Sequence, residues 1–203
     1  MSPPFLQPSC AYRSRFRTGC VIESVYPSRR RVTIVAMVRR VRADDTALLK
    51  DVRLRALREA PYAFWETLAD VENDPLDEWI DWTASYAAPN TKAAAFVALA
   101  DVNAPQADGM AGGYLDPADK TAVAVWGVWV DPRCRGEGIA TTLLHAVEEW
   151  ASLSGRPRLT LWVTSTSHPA IALYLRRGFR DTGQRREHVS DLTREEMFME
   201  KPL

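Results

Sequence analysis

The residues best placed to do chemistry lie in one stretch, VDPRCRGEGIATTLLHAVEEW, from Val130 to Trp150. Asp131-Pro132 marks a turn, a helix is predicted from about Ile139, and Arg133, Arg135, Gly136 and Gly138 fall between them. A helix start carries unpaired N–H groups and the positive end of the helix dipole, so it attracts an anion. Glycines let a phosphate approach the backbone with no Cβ in the way. Arginines add charge-assisted hydrogen bonds. Two known phosphate loops fail on spacing: a dinucleotide fingerprint needs Gly or Ala where Thr141 stands, and a P-loop needs a lysine that is missing. A tight strand-to-helix turn built on two glycines is the plainer alternative at this point.

The elements that must position this loop are legible on both sides of it. Val32 to Arg42 reads as a strand, and Asp44 or Asp45 can cap a helix over Thr46 to Ala60, ended by Pro61. Pro61 to Val71 reads as a loop or short helix with exposed aromatics at Tyr62, Phe64 and Trp65. Asp74-Pro75-Leu76-Asp77 starts a helix, with Asp74 as N-cap, that carries Trp79, Trp82 and Tyr86. Strands follow over Ala93 to Ala100, Met110 to Leu115 and Ala122 to Val130. The last is apolar on both faces; regular alternation puts Val123, Val125 and Trp129 on one face and Trp126, Val128 and Val130 on the other. The helix after the loop shows Ile139, Leu143, Ala146, Val147 and Trp150 as one stripe, with Gly155 as its C-terminal cap. Leu159 to Val163 is a strand, Pro169 to Arg177 a helix stopped by Gly178, and Phe179 to Arg185 and Glu196 to Lys201 are closing strands. The predicted order, β-α-α-β-β-β-α-β-α-β-β, is an α/β arrangement with an antiparallel half and one parallel crossover.

Bulk properties narrow the function. The chain has 203 residues, 46% hydrophobic and 26% charged, enough for one domain with a core. Zero net charge gives no general case for nucleic-acid or membrane partners. No apolar run approaches the roughly 18 residues that span a bilayer, and no signal-peptide cleavage pattern follows Val32 to Val38. A cytoplasmic location is therefore expected. Residues 1–31 hold Pro3, Pro4, Pro8 and Pro27, six arginines and one acid, Glu23. They read as a poorly ordered extension, or as lying upstream of a true start at Met37, in preference to a transit peptide. Residues 32–203 read as a single domain. Cys10, Cys20 and Cys134 form neither a disulfide framework nor a zinc pattern, and His145, His168 and His188 have no metal-ligand spacing and read as surface or capping residues, so no metal is expected.

The motif that fits is R-x-x-G-x-G at Arg133, Gly136 and Gly138. Together with LWVTSTSHPAIALYLRRGF (Leu161 to Phe179), it resembles the GNAT acetyltransferase superfamily, over roughly Val38 to Leu203. The spacing of Val163, Ala170, Leu173, Tyr174, Gly178 and Phe179 carries the second half of the resemblance. It implies a mixed central sheet of six to seven strands with about four helices, and two parallel strands that splay apart in the middle. It also implies acetyl-CoA as donor and coenzyme A as product. N–H groups from Arg135 through Ala140, including Gly136, Glu137, Gly138 and Ile139, would hold the pyrophosphate, with Arg133 beside them. The strand Val128, Trp129, Val130 would pair with the pantetheine arm. Ser167 stands where the family often has asparagine, and its single hydroxyl has less reach.

The resemblance further implies direct attack by an amine, with Tyr174 as the general acid toward the leaving thiolate; a packing tyrosine whose hydroxyl only touches the sulfur is the alternative. No acid precedes Asp131 on its strand, and Asp131 itself suits the turn with Pro132, so no base is assigned. Glu66, Asp77, Glu78 and Asp81 are expected near the acceptor side but read as caps or solvated acids, and a water chain could serve in place of a base. The acceptor wall is expected from the Tyr62 to Trp65 loop, with Phe64 and Trp65, from the Trp79/Trp82 helix, and from Trp126 or Trp129, which suits an apolar, aromatic or cationic acceptor; that most of these tryptophans are core is the plainer alternative. The leading expectation is a small-molecule amine. A protein amine, or a non-catalytic acyl-CoA sensor, are the rivals. Members of the family often dimerise, so a homodimer is a further expectation.

Overall fold

The computed structural model describes residues 36–89, 92–101 and 103–203. The extension expected over residues 1–31 lies outside them. β1 (Met37–Arg40) leads into α1 (Thr46–Glu59), a 3-10 turn at Pro61–Ala63, the single-turn α2 (Leu68–Val71) and α3 (Leu76–Ala87). Then come β2 (Ala93–Leu99), β3 (Gly109–Leu115), β4 (Ala122–Val130), α4 (Ile139–Leu153), β5 (Arg158–Thr164), α5 (His168–Arg176), β6 (Arg180–His188) and β7 (Asp191–Pro202). The strands form one seven-stranded sheet in the order β1-β2-β3-β4-β5-β7-β6. Among the described residues, only β4 and β5 pair in parallel.

The sheet buries both faces. α4 lays Ile139, Leu143, Leu144, Val147 and Trp150 on one side, against Ala111, Val123 and Leu159, and α5 adds Tyr174. α1 buries Leu49, Val52, Ala56 and Leu57 on the other side with Trp79 of α3. Each such aliphatic side chain contributes about 1.5–3 kcal/mol on leaving water. Glu148 of α4 is buried but accepts from Arg177 Nη2 at 2.7 Å and Lys201 Nζ at 2.6 Å, which ties α4 to the end of α5 and to β7.

Local signals differ from expectation at several residues. Asp45 does not cap α1 with its side chain; its carboxylate accepts from Arg39 Nη2 at 2.8 Å and from the Arg42 N–H at 2.6 Å. The N-cap of α3 is Pro75 rather than Asp74. Phe64 is not exposed but 4% accessible. His188 is fully buried, its Nδ1 accepting from the Ser190 N–H at 3.2 Å.

Gly112 of β3 provides a close approach. A Cβ there would sit 2.2 Å from Cε2 of Trp126, so the indole lies directly on the glycine backbone. We expect Gly112→Ala to push that ring aside and cost about 1–3 kcal/mol, read as a lowered urea midpoint at unchanged slope.

Candidate active site

β4 and β5 pair only from Ala122↔Arg158 to Ala124↔Thr160, then continue apart to Val130 and Thr164. The ladder between β3 and β4 slips on the same stretch: Gly112 faces Trp126 while Met110 faces Trp129, leaving one extra residue on β4. Gly127 takes it up with φ +64, a backbone that a Cβ disfavours by about 1–2 kcal/mol. The bulge reverses the alternation beyond it. Trp126 and Trp129 therefore share the α1/α3 side, and Val123, Val125 and Val130 share the α4 side. Regular alternation had separated the two tryptophans; the left-handed glycine is why they come together.

The splay opens a cavity of about 320 Å³, lined by Gly127, Val128, Val163, Ser167, Ala170 and Tyr174 among others. Asp131 N–H donates to Asp108 O of the loop before β3, so the alternate backbone groups at Val130 and Val128 turn toward the side that β5 has left. Trp129 is not among the residues that line the gap: its backbone registers with Met110, and its Nε1 donates to Glu59 Oε2 at 2.9 Å.

The loop beyond β4 is held by carboxylates. Asp131 accepts from the Arg133 N–H, Nε and Nη2, and from Arg55 Nη1 at 3.0 Å. Arg133 is thus committed to its own turn. Arg135 donates from Nε to Val130 O at 3.0 Å and from Nη2 to Glu59 Oε2 at 2.6 Å. Next come Gly136 at φ +84 and Gly138 at φ +86, where an added Cβ would meet nothing within 4 Å. From Gly136 to Thr141, including Glu137, Ile139 and Ala140, no backbone N–H finds an acceptor among the described residues. Ile139 sends its side chain into the core, so its N–H is what it offers. The result is a run of convergent donors at the start of a 15-residue helix, the setting that binds a phosphate group.

Tyr174 projects from α5 with its ring edge-on to Phe179, centroids 5.5 Å apart. Its hydroxyl forms no hydrogen bond to a described residue, and burial raises its pKa above the ordinary tyrosine value. Ser167 is the N-cap residue of α5, yet its side chain makes no capping bond.

A second cavity, about 400 Å³, adjoins the first; both are lined by Ala63, Val125, Trp126 and Gly127. Phe64, Trp65 and Trp126 all line it, with Trp82, Tyr86 and Trp162. Trp79 packs in the core behind Trp82 instead. One charged residue of this cavity, Arg53, escaped the sequence reading, and another, Glu66, was read there as a cap or solvated acid. Arg53 is only 5% accessible, its guanidinium 4.6 Å from the Phe64 ring and 6.0 Å from those of Trp82 and Trp126. Its Nη2 donates to Glu66 Oε2 at 2.8 Å. The available signal was an arginine inside the apolar stripe of α1, between Val52 and Ala56.

The model of the acetyltransferase (GNAT) family matches residues 54–179. The chain belongs to the GNAT family. An uncharacterised N-acetyltransferase of Methanocaldococcus jannaschii is 36% identical over 69 residues, a match that spans 34% of this GNAT chain and 30% of that relative. A GNAT-family acetyltransferase from Streptococcus pneumoniae superposes with a TM-score of 0.68 at 18% identity, covering 82% of this chain and 98% of that one. An acetyltransferase from Salmonella typhimurium, solved with its cofactor acetyl-CoA, gives 0.66 at 19% identity over 83% and 94%. Both structural likenesses are of the GNAT fold. No helix among the described residues is long and apolar enough to cross a membrane.

In this GNAT loop the Asp131 carboxyl lies well below the usual carboxylate range, chiefly through the Arg133 side-chain hydrogen bonds acting against burial. Being the stronger acid when folded, it stabilises fully above its unfolded pKa of about 3.9, and that stabilisation is lost as pH falls toward the folded value. We expect Asp131→Asn to be less stable than wild type by about 1.5–3 kcal/mol near pH 7. The gap should close on acidification below about pH 4, as read by urea unfolding across a pH series.

Proposed function

We propose that this chain transfers an acetyl group from acetyl-CoA to the primary amine of a small molecule, in a ternary complex. The observation that carries the reading is the run of unpaired N–H groups from Gly136 to Thr141, placed beside a gap that opens into a second, aromatic cavity. Those N–H groups take the pyrophosphate, and Arg135 joins them on leaving Glu59. Val128 and Val130 supply backbone groups to the pantetheine arm, and Ser167 a hydroxyl. Acetyl-CoA supplies the activated acyl group as a thioester.

The bulge at Gly127 then does two jobs. It leaves backbone near Val128 free to polarise the acyl carbonyl, and it joins the acyl end of one cavity to the acceptor end of the other. The new N–C bond forms as the C–S bond breaks; nitrogen gives up one proton to water, and the sulfur leaves as a thiolate that takes one from water. Tyr174 faces that sulfur. With its acidity weakened by burial, its hydroxyl stays protonated at any working pH. Proton transfer from it to a thiolate of ordinary pKa, about 8.5, is uphill, so its contribution is a hydrogen bond that strengthens as charge develops.

A small acceptor is favoured by the way the Tyr62–Trp65 loop is fastened over the gap. Thr164 Oγ1 donates to Tyr62 O at 2.6 Å, Arg194 lies 3.7 Å from the Tyr62 ring centre, and Arg186 lies 4.9 Å from that of Trp65. A peptide needs an open groove where this loop sits.

Calorimetry tests the cofactor directly. Wild-type protein should bind acetyl-CoA at micromolar Kd, and Gly136→Trp, which fills the open space of the loop, should abolish binding while remaining folded; folded wild type that binds nothing would end the proposal. Tyr174→Phe should keep acetyl-CoA affinity and lower kcat by about 10²-fold in a thiol-release assay. An unchanged kcat would reduce Tyr174 to a packing role.

A further inference from the structure

We propose that the aromatic cavity selects primary amines with an apolar or aromatic body and no carboxylate, with Glu66 receiving their positive end. This rests on the acetyl-transfer reading above and names its acceptor class.

The charges that line the cavity are unequal in what a ligand can reach. Arg53 is sealed: Nη2 is on Glu66, and the Nε and Nη1 atoms are buried with no acceptor, enclosed by the faces of Phe64, Trp82 and Trp126. Arg186 does not line the cavity itself but packs against two residues that do: its guanidinium is 4.1 Å from the Trp162 ring centre, and its Nε donates to Glu196 Oε2 at 2.7 Å, with Nη2 buried. Neither guanidinium presents the free fork that reads a carboxylate. Glu66 is the opposite case. Its side chain is 44% accessible, one oxygen is held by Arg53, and the other has no partner among the described residues.

Its position relative to the chemistry follows from Arg53. One terminal nitrogen of the guanidinium, Nη2, holds Glu66; the other, Nη1, is 3.9 Å from where a Cβ on Gly127 would stand. Glu66 is therefore one guanidinium away from the bulge at which the two cavities meet. An ammonium group held by Glu66 before it loses its proton is next to the acyl end of the gap, with its body among rings whose faces attract cations. A free amino acid places a second, negative group in the same space, facing Glu66, Asp116 and the Arg186-paired Glu196, while the one cation of the lining, Arg53, is sealed.

The test uses matched pairs, phenethylamine against phenylalanine and tryptamine against tryptophan, in a thiol-release assay, with phenylalaninamide as a control that keeps the bulk without the carboxylate. Acetyl-CoA affinity is measured on the same protein. We expect kcat/KM for the amines to exceed that for the amino acids by at least about tenfold, with phenylalaninamide nearer the amine. Glu66→Gln should raise KM for the amine more than it lowers kcat, and should draw the amine-to-amino-acid ratio toward one at unchanged acetyl-CoA affinity. A structural role for Glu66 would not move that ratio. Equal use of the amino acids overturns the proposal, as does a ratio unchanged in a folded Glu66→Gln. If that variant does not fold, the wild-type pairs decide. Protein that binds acetyl-CoA yet acetylates none of these amines, or prefers a tripeptide, sinks the acceptor class and leaves acetyl transfer standing. Protein that does not bind acetyl-CoA removes both.

Discussion

The left-handed backbone of Gly127 is the constraint on which the site depends. Two parallel strands that pair at one end have no reason to part unless one is bent, and the extra residue on β4 supplies the bend. Three consequences meet there. The strand edge beyond it is left without a partner, the indoles of Trp126 and Trp129 are brought to the same face, and the gap becomes continuous with the aromatic cavity. A side chain at this position would strain the backbone and press on Met110, whose Cε is 3.0 Å from the Cβ site. The fold accepts an irregular central strand because the ladder to β3 resumes on both sides of the slip.

Charge is used in two distinct ways around that bend. On the loop side, Asp131 and Glu59 hold arginines in place and keep the backbone in the shape that points its N–H groups outward. On the side of the aromatic cavity, Arg53 sits inside a cage of rings and holds Glu66 at the cavity wall. Burying a guanidinium is tolerable because one carboxylate and several π faces replace water. The same enclosure keeps the cation from serving as a ligand-binding group.

Much of this was legible in the sequence where the signal is local. β4 spans the residues expected from its apolar run, and α4 begins at the residue where the stripe begins. The glycine turn with unpaired N–H groups follows from glycine spacing next to that stripe, and the turn role of Asp131 from its neighbour Pro132. What was not legible depends on pairing between distant segments. Alternation along β4 misassigned Trp129, since a bulge is a property of two strands and Gly127 alone does not declare one. Phe64 looked like a surface ring because nothing near it in the chain reveals that Arg53 lies over it. Glu66 read as a helix-start acid, whereas the cap of α2 is the Thr67–Asp70 box and Glu66 turns to Arg53 instead. Arg133 fits the motif by spacing, yet its side chain closes on Asp131, two residues back.

The outer strand β6 bears on how an open sheet survives in a crowded solution. An edge strand offers unpaired backbone groups to any other chain. This one is interrupted: its register with β7 slips between Asp181 and Arg185, and Gly183 adopts φ +82 with its N–H turned back onto Asp181 Oδ1 at 2.8 Å. The Asp181–Arg185 ion pair and the exposed charges at Arg180 and Glu187 cover the rest. A second sheet approaching this margin would have to match a kinked, charged profile. Aggregation through strand addition is thereby opposed at the one margin that lies farthest, in strand order, from β1.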